Sequence, residues 1–283
     1  MSAAAASELH LESLEVKRPG GTTLGWLQTS PEYPMKRLLA AGSGDIWQLA
    51  KVFRGGEAGG RHNPEFSLLE WYRLDWDTAA LMDEVADFVR EMASGLLELG
   101  PELRLSYREA FQRHAGLDPF EADGPGIVAR LRERGVPVPD DLELDCNAGL
   151  DLALATLVEP ALDPLQPTFL FDFPPSHAAL ARIRPGDPPV AERFELFLGG
   201  MELANGYCEL ADPLEQQARF EADQAARRAR GWPTLPLDHR LIAALAHGLP
   251  DCSGVALGFD RLLMIMAGAG HINDVLAFPF ASA

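Results

Sequence analysis

Between Val190 and Leu210 the chain reads VAERFELFLGGMELANGYCEL. Arg193 to Leu198 and Met201 to Leu203 alternate polar with apolar residues on either side of Gly199-Gly200, which predicts a β-hairpin closed by a two-glycine turn. Downstream, Asp212 to Arg230 reads as a polar amphipathic helix and Asp238 to His247 as a second one. Gly254 to Phe259 reads as a strand, followed by a helix from about Asp260 to Met266. Upstream, Phe169-Leu170-Phe171 reads as a buried strand ended by Pro174-Pro175, and residues 103 to 165 as short helices broken by Gly and Pro. Apolar residues at helical spacing from Leu81 to Leu96 predict a helix over Thr78 to Leu99, with Thr78 as its N-cap and Gly100-Pro101 as its end. Residues 65 to 74 read as a strand, and 22 to 55 as short strands (Leu24–Leu27, Ile46–Leu49) around a short helix. No internal repeat and no linker divides the chain. The expectation is one α+β domain on a mainly antiparallel sheet.

Composition narrows the function. The 283 residues carry 42 acids against 24 bases, a formal charge of −18, so wrapping a phosphate backbone is not the expected task. The longest small or apolar run, Leu262 to Gly270, falls short of the roughly 20 residues of a spanning helix. No basic segment and no long apolar stretch precede Glu8, so no secretory leader is expected. Cys146, Cys208 and Cys252 are dispersed and read as reduced thiols of a cytoplasmic protein. Residues 135 to 181 hold no Lys or Arg but carry Asp140, Asp141, Glu143, Asp145, Asp151, Glu159, Asp163 and Asp172. That run reads as a solvated acidic insertion.

Phosphate loops, dinucleotide fingerprints, nucleophile elbows and zinc helices are all missing from the sequence, so a nucleotide would be held by side chains and strands. Four patches carry charge onto segments that read as strands, where alternate residues share a face. In the first, Ser30-Pro31-Glu32, the acid taken alone reads as a helix N-terminal carboxylate, favoured by the dipole, before it reads as a ligand group. The second runs from Phe53-Arg54 through a Gly-rich turn to Phe66, Glu70 and Tyr72, a hairpin with one polar face. The third is Glu195, Glu202, Asn205 and Glu209: a solvated edge, or acids converging on Mg²⁺ that carries nucleotide phosphates. In the fourth, CSGVALGFDR (252–261), small residues admit a flat ligand and Arg261 offers a fork to phosphate, although Asp260-Arg261 also reads as a local ion pair.

Together SPEYPMKRLL (30–39), HNPEFSLLEWYR (62–73), VAERFELFLGGMELANGYCEL (190–210) and PDCSGVALGFDRLLM (250–264) make the chain resemble, over essentially its whole length, the catalytic domain of class II aminoacyl-tRNA synthetases of the lysyl subgroup. Within it the chain is most similar to the stand-alone ligases that attach (R)-β-lysine to elongation factor P. The resemblance implies ATP and Mg²⁺ as cofactors. Arg54 would hold the α-phosphate, with Gly55, Gly56 and Glu57 following it, and Arg261 the γ-phosphate. Phe66 would stack on adenine, His62 and Asn63 would line the nucleotide, and Gly258 would let the strand lie against it. Glu195 and Glu202 would carry the metal, Glu202 and Leu203 also meeting ATP. Ser30, Pro31 and Glu32 would receive the substrate near its reacting end, Glu70, Tyr72 and Glu209 its distant ammonium, and Asn205 its carboxylate. Ala256 and Ser30 stand where lysyl-tRNA synthetases typically carry Gly and Ala, a change toward the β-isomer.

The chain departs from this pattern at two places. The F-R-x-E signature is Phe53-Arg54-Gly55-Gly56 here, so either Glu57 shifts register or that contact is partly lost. The front resembles the family's pocket loop just after its first signature, so the dimerising helix and strand are expected upstream of Met1, giving a homodimer when present. No module able to read an anticodon is visible, and no tRNA or membrane partner is expected. The expected activity is adenylation of (R)-β-lysine and its transfer to a lysine of elongation factor P. Two alternatives stay open: a ligase using α-lysine or another diamino acid for a different carrier, and a non-catalytic paralogue that binds nucleotide or amino acid.

Overall fold

The computed structural model describes residues 1–6, 11–139 and 144–283. Glu8 and three acids of the acidic run, Asp140, Asp141 and Glu143, lie outside them. In chain order the elements are β1 (Glu15–Lys17), β2 (Thr23–Trp26), α1 (Glu32–Ala40), β3 (Ile46–Phe53), β4 (Glu65–Leu74), α2 (Thr78–Ala93), β5 (Leu103–Ser106), α3 (Tyr107–His114), α4 (Gly124–Glu133), α5 (Cys146–Ala153), β6 (Thr168–Phe173), β7 (Ile183–Arg184), β8 (Val190–Leu198), β9 (Met201–Cys208), α6 (Pro213–Ala229), α7 (His239–Gly248), β10 (Cys252–Gly258) and α8 (Phe259–Ala267). No helix among the described residues is long and apolar enough to cross a membrane. The contacts of the chain group into two compact units, Met1–Asp77 with Glu209–Ala283, and Thr78–Cys208.

In the first unit β3, β4 and β10 form an antiparallel array with β4 in the middle. The register sets Phe66 opposite Val52, and Glu70 between Gln48 and Ala256. Ala50, Val52 and Leu68 pack as a small apolar cluster against Phe66 and Ala256. Helix α1 packs on α7, and α7 on α6. Asp212 caps α6 by accepting the N–H groups of Leu214 and Glu215, and Asp238 caps α7 by accepting those of Arg240 and Leu241. Such side-chain oxygens satisfy donors that the first helical turn leaves unpaired. Both helices therefore begin where the sequence placed them.

The second unit carries the strand order β9-β8-β6-β5, with β7 also on β8. All these pairs are antiparallel except β5 with β6. Strand β5 was not anticipated: four residues between Pro101 and a helix carry too short an alternation to reveal a strand, and the parallel partner β6 supplies the hydrogen bonds. Its core gathers Tyr107, Phe111, Leu131, Leu150 and Phe173, with the Tyr107 and Phe111 rings 4.4 Å apart. The expected hairpin is β8-β9. Gly199 and Gly200 have φ of 64° and 70°, the left-handed pair a tight two-residue turn demands and that residues with a Cβ resist.

Two boundaries differ from expectation. Helix α2 begins at Thr78 itself and ends at Ala93, six residues early, because the next glycine, Gly95, turns to φ 74° and Leu96 and Leu97 donate back to the Ala93 carbonyl. The acidic run is also more than a solvated face. Asp145 caps α5 on Ala148 N–H, Asp163 accepts from Leu165 N–H, Asp172 pairs with Arg184 at 2.6 Å and Asp151 meets His177 at 3.1 Å.

Candidate active site

The first unit builds a buried carboxylate pocket from the start of α1, the middle of β4 and the residue after β9. Ser30 precedes the helix; its hydroxyl accepts the Glu32 N–H (2.9 Å) and donates to Glu70 Oε1 (2.5 Å). Tyr72, two residues along β4 and so on the same face, donates to Glu70 Oε2 at 3.4 Å. Glu70 is 1% exposed and Glu209 3%. One turn beyond Glu32, the Lys36 ammonium lies 2.6 Å from Glu32 Oε1 and 2.6 Å from Glu209 Oε2. Pro31 occupies the N-cap position of α1 without a side-chain cap bond. Ala256 lies opposite Glu70, and Gly254 opposite Tyr72. A Cβ at Gly254 would overlap the Tyr72 ring, so glycine there lets the phenol lie flat over the neighbouring strand. A cavity of about 450 Å³ is lined by Ser30, Glu32 and Tyr33 together with Ala3, Ala6 and Asp238.

Charge in this pocket is governed by desolvation. Burial, together with the nearby Glu32, pushes the Glu70 carboxyl up to about 8. Glu209 is pushed up to about 7 by burial, with Lys36 pulling the other way. Burial and the surrounding acids raise the Tyr72 phenol well above its ordinary range, so it stays a donor. Lys36 is raised despite burial, because Glu209 and Glu32 favour its charged form. An ammonium entering such a pocket would find acids waiting and lose its water to good partners.

The same unit holds the residues expected at the nucleotide. Arg54, one residue past β3, donates from Nε to the Thr29 carbonyl (3.3 Å) and lies with its guanidinium 5.1 Å from the Phe66 ring centre. Glu57 stands 3.9 Å from Arg54. Gly258 is the N-cap position of α8 and Arg261 sits in its first turn, with Nη2 2.7 Å from His62 Nε2. Asp260 turns instead to the Ser67 N–H at 2.6 Å, so each member of the Asp260-Arg261 pair has its own partner. Asn63 is committed to backbone: its amide donates to the Glu65 carbonyl and accepts the Phe280 N–H.

In the second unit the hairpin places Glu195 opposite Asn205 and Phe197 opposite Glu202. An unbulged hairpin about Gly199-Gly200 would set Glu195 against Ala204. A bulge absorbs Leu203, so Asn205 moves round to the face that carries Glu195, and Leu203 turns its side chain into the core at 2% exposure. Bulges redirect side chains in this way. Arg193 lies on one Glu195 oxygen and stacks over Phe173 at 4.6 Å. Burial raises Glu195 to about 7, Arg193 opposing and Glu202 adding to the rise. Asn205 Oδ1 is buried with no hydrogen-bond partner. Two carboxylates and a free amide oxygen are a hard-oxygen donor set suited to Mg²⁺, which takes one or two carboxylates and completes its shell with phosphate and water. Among the described residues no group of three or more acids, histidines and cysteines could hold a metal ion.

Three participants escaped the sequence reading. Lys36 shows there only as i,i+4 spacing from Glu32, a pattern that usually marks an exposed pair. Arg193 shows only as alternation with Glu195. Glu12 had no signal: its carbonyl accepts the Gly55 N–H at 2.8 Å and its side chain lies against Gly55 and Gly56, setting a carboxylate beside the loop where Gly56 replaces the signature acid.

A family model of class II tRNA synthetases (D, K and N) matches residues 7–282. The chain is 48% identical over 292 aligned residues to the elongation factor P–(R)-β-lysine ligase of Yersinia enterocolitica serotype O:8 / biotype 1B, an alignment covering all of this chain and 87% of that one. It is 47% identical to the proteins of that name from Salmonella dublin and Salmonella paratyphi B, covering 98% of this chain and 86% of each relative.

Proposed function

The chain belongs to the class II tRNA synthetases of the D, K and N type, and from that membership we propose that it is an ATP-dependent ligase that activates (R)-β-lysine and passes it to a lysine side chain of elongation factor P. The observation that carries this reading is the buried pocket of Glu32, Glu70 and Glu209, in which Lys36 pairs with Glu32 and Glu209 while Glu70 is held by Ser30 and Tyr72. Glu32 and Glu209 against one ammonium leave a negative balance, to which Glu70 adds its charge when it gives up its proton; a diamino acid neutralises that balance and a neutral amino acid does not. The names of the relatives supply the acceptor and the β-isomer.

In this mechanism Glu70, Tyr72 and Glu209 receive the distant ammonium, and Glu32 with Ser30 and Pro31 orients the amine near the reacting carboxylate, which Asn205 receives. Ala256 sets the pocket wall opposite Glu70. Phe66 takes the adenine face opposite its guanidinium neighbour, with Asn63 shaping the loop and Gly258 admitting the ring. The substrate carboxylate attacks the α-phosphorus in line, forming the acyl adenylate as the bond to pyrophosphate breaks. Arg54 stabilises the charge that builds on the α-phosphate and Arg261, braced by His62, the γ-phosphate. Glu195 and Glu202 would hold Mg²⁺, which supplies charge neutralisation for the departing pyrophosphate. The acceptor amine then attacks the acyl carbon, forms the amide and releases AMP.

Pyrophosphate exchange with (R)-β-lysine, with α-lysine and without amino acid tests the proposal. Exchange driven best by (R)-β-lysine is the expected result. A preference for α-lysine favours the second ligase reading, and no exchange with either in the folded chain overturns both. Arg261→Ala is expected to lower exchange by at least about a hundredfold, the loss that follows removal of one transition-state partner, while circular dichroism stays unchanged.

A further inference from the structure

A lysine at 1% exposure is unusual, since an ammonium loses several kcal/mol of hydration on burial and is retained only against matched acids. Lys36 has two, at 2.6 Å each, supplied by its own helix and by the segment after β9. The charged and titratable groups around it are Glu32 and Arg37 on α1, Glu70 and Tyr72 on β4, Cys252 on β10, Glu209, and Asp238 at the start of α7, which lies 3.7 Å from Arg37. Arg37 thus has an acid of its own and Arg54 acts on Glu70, which leaves Lys36 as the cation paired with Glu32 and Glu209. The ammonium engages Oε1 of Glu32 and Oε2 of Glu209, so each carboxylate has a second oxygen outside the ion pair; that of Glu209 lies beside Gly254 and Tyr72.

We propose that Lys36 is a positioning residue for the amino-acid substrate, an internal counter-ion that ties Glu32 to Glu209, keeps both charged and presents their second oxygens to the two ammonium groups of a diamino acid. This rests on the diamino-acid ligase reading above and deepens it. Without the internal cation, two buried like charges could not both persist, and one would take up a proton. The pocket would then present one charge fewer to the ligand, and binding would depend on pH where it did not before. Burial already lifts Glu209 toward neutrality, so it is the member expected to protonate.

The experiment compares the whole wild-type chain with Lys36→Met and Lys36→Arg, each labelled with ¹³C at the glutamate carboxyls. At pH 8 the wild type is expected to show Glu32 and Glu209 ionised, and Lys36→Met one additional protonated glutamate. A protonated Glu32 or Glu209 in the wild type, or no new protonated carboxyl in the variant, overturns the proposal. In pyrophosphate exchange Lys36→Met is expected to raise KM for (R)-β-lysine about tenfold at pH 8, one unit of carboxyl pKa, with kcat within about twofold and KM recovering as pH rises. Lys36→Arg, which keeps the charge, should keep the flat profile. Equal losses in KM and kcat at every pH, or equal effects of Met and Arg, would mark a merely structural lysine. Should Lys36→Met not fold, the wild-type titration decides alone. A wild type that exchanges with no diamino acid removes the functional reading, while the carboxyl count still reports on Lys36.

Discussion

Lys36 and Arg193 both neutralise acids inside the protein, one in each compact unit, and they do it differently. Lys36 is shared between two carboxylates from distant parts of the chain. Arg193 clamps Glu195 two residues away on its own strand, donates to the His177 carbonyl at 2.7 Å and lies over the rings of Phe173 and Tyr207. An ammonium is a compact point charge that can divide itself between two acids, whereas a guanidinium is a planar fork that stacks and holds one acid in one orientation. The first arrangement suits a pocket that must trade counter-ions with a cationic ligand. The second suits a rigid platform that fixes the direction of a single carboxylate.

The largest effect that would test this contrast is on stability in the second unit. Arg193→Met should cost about 3 kcal/mol in denaturant unfolding, because it strips a buried partner and two stacking contacts together. Arg193→Lys should recover less than half of that, and full recovery would show that charge alone matters there.

The two units also share a device, a glycine directly across from an aromatic ring, Gly206 under Phe194 and Gly254 under Tyr72. Alanine at either place overlaps the ring and should cost on the order of 2 kcal/mol. The contrast lies in function: Gly254→Ala also presses on Glu209 Oε1 and should raise KM for the diamino acid, while Gly206→Ala should act mainly on thermal stability.

A smaller effect, and one that turns with pH, is expected for Glu70→Gln. Burial lifts this carboxyl from 4.5 to about 8, so the folded state keeps a proton that the unfolded chain releases. The stability due to that proton is present in full below about 4.5 and is lost as pH rises toward 8. The glutamine variant should therefore gain on the wild type steadily across that window, in melts taken from pH 5 to 9. Its KM for the diamino acid should rise most above pH 8, where only the wild type offers a charge. The smallest effect is Gly199→Ala, about 1 kcal/mol from forcing a Cβ into left-handed backbone, with no change in exchange kinetics.

The parts of the fold that were legible have local causes. The hairpin at Gly199-Gly200, the caps Asp212 and Asp238, and the strand-to-helix junction at Gly258 follow from turn geometry and from helix ends that need acceptors. Strand β5 and the early end of α2 were not legible, because a four-residue parallel strand depends on its neighbour and apolar spacing continues past Gly95. The sequence by itself also marked Arg54, Arg261, Glu32, Glu70, Glu195, Glu202 and Glu209 as candidates, through the resemblance of their motifs to a family, and it passed over Arg193 and Glu12. Only the tertiary structure decided which acid meets which cation. Glu209 reaches Lys36, Asn205 comes round to Glu195 through the Leu203 bulge, and Glu70 is lifted toward neutrality by what buries it. Pairing and desolvation depend on groups remote in the chain, and spacing along one segment does not record them.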